Sequence, residues 1–165
     1  MNQTIGILGI GNTLLQDEGF GPHIIEQIET RFQVPETVKL LDGGTAGILL
    51  GPFIESVNTL YIVDTVKLNA PSGSIQCFSE KEISTKDIQT RMSPHQVGIL
   101  ETLELCRLRG KAPDKVEMLT VVPETLNTGI GLSGQVAPAV EKMISLIMKR
   151  LANHGIIPEK LTTVS

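Results

Sequence analysis

The alternation of apolar runs along the chain predicts an α/β fold with a mostly parallel sheet covered by helices on both faces. Three observations carry this expectation. Strand-length apolar runs alternate with segments whose apolar residues recur at helical spacing. The run LYIV, Leu60 to Val63, is apolar without a break, as a strand buried on both faces requires. The apolar mass is Ile, Leu and Val, with aromatic residues at 3% and no Trp.

Each element has its own signal. TIGILGIG, Thr4 to Gly11, is an apolar strand ended by glycine, and Glu18 to about Phe32 carries Ile24, Ile25, Ile28 and Phe32 at helical spacing, which makes a first βα unit. TVKLLDGG, Thr37 to Gly44, is a second strand breaking at two glycines, and AGILLGPFIES is a short helix interrupted by Gly51-Pro52. Asn58 to Val66 is the third strand, and SIQCFS follows the turn NAPSG as a fourth. Lys81 to Arg91 is polar without a clear period and reads as a loop or a short helix. Ser93-Pro94-His95 is a helix start in which Ser caps and Pro takes the first position, where its missing N–H costs nothing; that helix runs to about Arg109. KVEMLTVV is a strand closed by Pro123. A last helix from about Ser133 shows Val136, Val140, Met143, Ile147 and Leu151 on one stripe, and residues 155–165 read as a frayed tail.

Length and charge bound the function. With 165 residues the chain fits a single domain, 1–165, able to bury about two thirds of its unfolded surface. The net charge of -4, with acids and bases scattered, predicts no nucleic-acid partner and no electrostatic hold on a membrane. The start MNQTIGILGI has no basic region and too short an apolar run for a signal peptide, and no segment approaches the roughly 18 apolar residues of a membrane span, so the expected location is the cytoplasm. Cys77 and Cys106 form no CxxC and read as buried small hydrophobes.

In parallel sheets ligands sit beyond the carboxyl ends of the strands, so the polar residues following each strand are the candidate site. The first strand leads to Gly9, Gly11, Asn12, Asp17 and Glu18, the second to Asp42, the third to Asp64, and the capped helix brings His95. Two carboxylates and an imidazole with open positions suit a first-row divalent ion such as nickel or zinc. A helix N-terminus disfavours imidazolium, which would keep His95 neutral and free to ligate. Plainer readings stand beside this one. Asp17 reads mostly as a cap for the helix start. Asp42 and Asp64 each suit a turn cap, and His95 suits an ordinary first-turn position. His23 and His154 read as solvated. GIGN is not a dinucleotide fingerprint, because Leu14 replaces its third glycine, and it is not a GxxxxGK phosphate loop. Neither a GxSxG elbow nor a convincing Cys/His pair supports nucleophilic acyl transfer.

The ordered set GIGNTLLQDEGFG, LDGGTAG, IVDTV, SPHQVG and VVPETLNTGIGLS followed by a long helix resembles the nickel-iron hydrogenase maturation endopeptidases over about residues 5–151. The resemblance implies a three-layer α/β/α fold. It also implies removal of a C-terminal extension from the precursor of the [NiFe] hydrogenase large subunit, by aspartate-type or metal-assisted hydrolysis, once nickel is in place. Position by position it puts the nickel contacts on Glu18, Asp64 and His95, with Asp42 near the site as the candidate to activate water. Many relatives carry Asp where this chain has Glu18. The nickel belongs to the precursor in this scheme, and zinc or cadmium are expected surrogates. A metallochaperone that checks loaded precursor without cutting it, and a small nucleotide-binding domain, are the alternatives.

Overall fold

Side-chain parity along the strands decides which layer each residue faces. In β1 (Ile5–Ile10) Ile5 and Ile7 enter one core cluster while Leu8 and Ile10 enter another. In β4 (Thr59–Thr65) Tyr61 and Val63 enter the first and Leu60 and Ile62 the second. Every residue of both strands is buried, so the sheet is covered on each face, with about 1.5–3 kcal/mol gained per large side chain removed from water.

The first cluster lies under α1 (Phe20–Arg31) and α6 (Ala139–Ala152), and the second under α2 (Gly51–Glu55) and α5 (Pro94–Leu108). The computed structural model describes residues 3–162. Its remaining elements are β2 (Phe32–Gln33), β3 (Val38–Gly44), β5 (Ile75–Ser79), α3 (Glu80–Ile83), α4 (Lys86–Gln89), β6 (Lys115–Val121) and β7 (Glu159–Lys160), with single 3-10 turns at Gln16–Gly19 and Gly47–Leu50. The five-stranded sheet has the order β3-β1-β4-β6-β5, parallel except for the edge strand β5. This is the expected α/β architecture, helices on both faces of a mostly parallel sheet.

Two expected boundaries move. The last helix begins at Ala139 rather than near Ser133, because Pro138 inside a helix begun there would set its ring against the carbonyl four residues back. The stretch expected to fray folds back instead: β7 pairs antiparallel with β2, and the Leu161 amide donates to the Arg31 carbonyl at 2.9 Å. Residues 163–165 of that expected tail lie outside the described residues.

α1 approaches the sheet unusually closely, and glycine makes this possible. A Cβ on Gly21 would stand 2.4 Å from the carbonyl oxygens of both Ile10 and Val63. Backbone therefore lies on backbone at the carboxyl ends of β1 and β4, and the turn before α1 is delivered over the end of β4.

Candidate active site

Parity carries one more residue beyond Ile62. Asp64 shares the face of Leu60 and Ile62, toward α5, and is fully buried at the strand end. Ser93 is the N-cap of α5 and Pro94 opens the helix, so His95 sits on its first turn as expected. The His95 Nε2 lies 3.0 Å from Asp64 Oδ2, and its Nδ1 lies 3.2 Å from Glu18 Oε1. The three side chains are 10%, 0% and 12% exposed for His95, Asp64 and Glu18, so the cluster is nearly closed to water. Ser93 Oγ packs against the ring at 3.0 Å from Nδ1 and 3.1 Å from Nε2. Beside the cluster opens a cleft of ≈ 620 Å³ that includes Leu15, Glu18, Lys67, Met92, Gln96 and Leu126.

Asp17, the neighbour of Glu18, has a different task. Leu15 and Gly19 occupy the N-cap positions of the 3-10 turn and of α1, so Asp17 caps neither. Its buried carboxylate instead accepts from the amides of Glu124, Thr125 and Ser133 and from the Ser133 hydroxyl, at 2.7–3.0 Å. This anchors the loop after β6 to the turn after β1. In the same loop Gly129 brackets Gln16, at φ 47: its carbonyl accepts from the Gln16 amide and its amide donates to the Leu14 carbonyl. Glu18 therefore projects from a turn fixed on both sides.

Asp42 does not join the cluster. It follows Val38 and Leu40 on the α1 face of β3, accepts from the Gly44 amide at 2.9 Å, and lines a second cleft with Pro22, His23 and Glu26. His23 is partly exposed, 4.0 Å from Glu26, while His154 proves to be tied rather than solvated, with Nε2 at 3.1 Å from the Tyr61 hydroxyl and Nδ1 at 3.2 Å from Gln3 Oε1.

The expectation that helix geometry keeps His95 neutral is overturned. Burial pushes its imidazole toward the neutral form, but the hydrogen bond to Asp64, the charge of Asp64 and the charge of Glu18 together outweigh burial and raise its pKa. Burial raises the Asp64 carboxyl against the pull of His95 and of its Thr65 amide bond. The pair thus holds a proton more tightly than its members would in water.

This bears on metal binding. The donor chemistry fits a borderline divalent ion, yet among the described residues no three His, Cys, Asp or Glu side chains already surround a common point. The reason is geometric: the imidazole stands between the two carboxylates and turns a different nitrogen to each. An ion shared by all three requires the ring to release one carboxylate and lose its proton.

Sequence reasoning passed over Gln96, although Ser93-x-x-Gln96 is the spacing of a capping box. Its Oε1 accepts from the Ser93 amide at 2.8 Å and its Nε2 donates to the Thr65 carbonyl at 2.5 Å.

Known proteins share this arrangement of chain. A model of the hydrogenase maturation protease family matches residues 22–150. The hydrogenase 2 maturation protease of Escherichia coli K12 is 35% identical over 152 residues, covering 91% of this chain and 92% of that one. The hydrogenase expression/formation protein HoxM of Azotobacter vinelandii is 33% identical, over 92% of this chain and 73% of its own. The solved structure of the hydrogenase maturating endopeptidase HybD from E. coli superposes with a TM-score of 0.87 at 31% identity, over 95% of this chain and 97% of that one. Among the described residues no helix is long and apolar enough to cross a membrane. With a family model spanning most of the domain and relatives 33–35% identical over about nine-tenths of this chain, the chain belongs to the hydrogenase maturation proteases.

Proposed function

We propose that this protease removes the C-terminal extension of a [NiFe] hydrogenase large-subunit precursor, and that it recognises nickel already held by that precursor. The observation that carries the reading is the meeting of Glu18, Asp64 and His95 within hydrogen-bond distance at the carboxyl end of the sheet. The precursor's nickel, as part of the substrate, completes its shell with these three side chains and so sets the scissile peptide in the cleft beside them. The ion supplies Lewis acidity; the chain's own residues bind, orient and exchange a proton. On docking, His95 would release the proton it shares with Asp64 to bulk water and present a lone pair, while Glu18 would turn from imidazole to ion. Asp42 is the exposed carboxylate near the end of β3, separated from β4 by β1, and is assigned to position the attacking water, in which case the peptide must run from the α5 side of the rim to the α1 side.

The test is an assay of purified protein with matched large-subunit precursors, with and without nickel. Mass loss at the precursor C-terminus only in the loaded sample supports the reading. Cleavage of both equally would remove nickel from the scheme. An intact loaded precursor that still binds would make the protein a checkpoint rather than a peptidase. Asp42→Asn with unchanged turnover would end the role given to that carboxylate.

A further inference from the structure

Gln96 is 3% exposed and uses both ends of its amide, on two different elements. Only one orientation of that amide serves both partners: the oxygen must face the Ser93 N–H and the nitrogen the Thr65 carbonyl. Thr65 in turn donates its own N–H to Asp64 Oδ1 at 2.7 Å, and Asp64 Oδ2 meets His95 Nε2 at 3.0 Å. Gln96 thus ties the peptide flanking Asp64 to the residue that starts the helix bearing His95. The result is a closed circuit through β4 and α5, in which the Asp64–His95 contact is one link and Gln96 is the strut.

We infer that Gln96 is a positioning residue, which sets the separation and orientation of Asp64 and His95 by bridging the end of β4 to the N-terminus of α5. It acts through Asp64, whose carboxyl it also helps to hold ionised by hydrogen bonding, and through the helix that carries His95. A helix cap alone would need only its oxygen; the bond from its nitrogen to Thr65 has no part in capping and is the portion that fixes the site. The inference rests on the reading of Glu18, Asp64 and His95 as the set that grips the ion, but its geometric core can be tested without metal.

Gln96→Glu separates the two jobs. While ionised it keeps an acceptor for the Ser93 amide and loses the donor to Thr65; a proton taken up by the buried carboxyl restores a donor, so Gln96→Met, which loses both at similar volume, is the decisive variant. In metal-free wild-type protein, the His95 ring N–H engaged with Asp64 gives a slowly exchanging imidazole proton resonance. Gln96→Met loses it to solvent exchange, with the amide spectrum away from the site close to wild type; Gln96→Glu loses it as well where its carboxyl is ionised, and melts lower because that charge is buried beside Asp64. Cadmium affinity, measured by calorimetry on the same proteins, falls roughly 10- to 100-fold, the usual cost of removing a group that orients a ligand. A His95 resonance unchanged in Gln96→Met overturns the inference. If His95→Ala binds cadmium as wild type does, the ligand reading fails instead, and the resonance still decides whether Gln96 orients the pair.

Discussion

Two imidazoles in this molecule each stand between two polar partners, on opposite layers of the sheet. His154 lies between the Tyr61 hydroxyl and the Gln3 side-chain oxygen; His95 lies between Asp64 and Glu18. Both networks are complete, for among the described residues no buried side-chain nitrogen or oxygen lacks a hydrogen-bond partner. The difference is charge. A neutral ring with one donor and one acceptor fits a phenol and an amide oxygen without further cost. At His95 both neighbours are carboxylates in a nearly closed place, and with both ionised even a protonated ring leaves the group net negative. Burying acids around a single imidazole works against stability unless a cation is expected there. Complete bonding is common to both networks; the excess of carboxylates around one imidazole is what marks the site.

The strongest way to break that contrast is to neutralise the charged cluster. Asp64→Asn and His95→Ala should each lower processing of loaded precursor by on the order of 100-fold or more; the isosteric Asp64→Asn should melt within a few degrees of wild type, whereas His95→Ala leaves a buried carboxylate without its partner and should melt lower. Strand-end polar groups support little packing, so activity and fold should come apart in Asp64→Asn. A variant that cleaves at the wild-type rate would reduce the cluster to an internal ion pair.

How far the sequence already told these regions apart depends on distance along the chain. The strand runs, the capped start at Ser93-Pro94 and a rim holding Asp17, Glu18, Asp42, Asp64 and His95 were legible from local pattern plus one topological rule, while singling out Glu18, Asp64 and His95 took the family resemblance. The layer that Asp42 faces was not. Asp42 and Asp64 both end strands, and only parity within each strand puts the first with Leu40 under α1 and the second with Ile62 under α5. The partners of Asp17 lie 107 to 116 residues away, beyond any local signal. The two-residue strands β2 and β7 are too short to carry a period, and Pro138, which delays α6, was there to be read.

Asp17 against Glu18 sharpens the same contrast within one turn. Glu18→Ala removes an acid that faces His95; Asp17→Ala removes the acceptor for four donors and leaves amides of the loop after β6 without partners. The second should cost about 3 kcal/mol in denaturant unfolding, the first well under half of that. Equal losses would mean that both acids are anchors.

Acidity separates the pair next. In the fold, His95 keeps its proton above the ordinary imidazole value of 6.5, and buried Asp64 keeps its own above 3.8. The folded state then binds more protons than the unfolded chain, so the contribution of His95 is fully present below pH 6.5 and is lost as pH rises through the raised value. Unfolding free energy should therefore fall as pH rises from about 6.5 through that raised value, by at most about 1.4 kcal/mol per pH unit for one proton, and His95→Ala should flatten the slope. Zinc binding should run the other way. It releases about one proton per ion, visible as a buffer-dependent enthalpy, and strengthens with pH.

The smallest effect belongs to the imidazole outside the site. Tyr61 is only 1% exposed, so its hydroxyl needs a partner, but His154 is half-buried at the edge of the fold. In His154→Ala, water can take the place of Nε2 beside the phenol, which converts a lost hydrogen bond into an exchanged one and holds the cost near 1 kcal/mol. Processing should stay within about twofold of wild type, because the change is buffered by Tyr61 and the sheet lies between it and the cluster. If His154→Ala instead impaired cleavage as His95→Ala does, charge would not be what distinguishes the two networks, and the imidazole under α6 would have to be coupled to the cluster through β4.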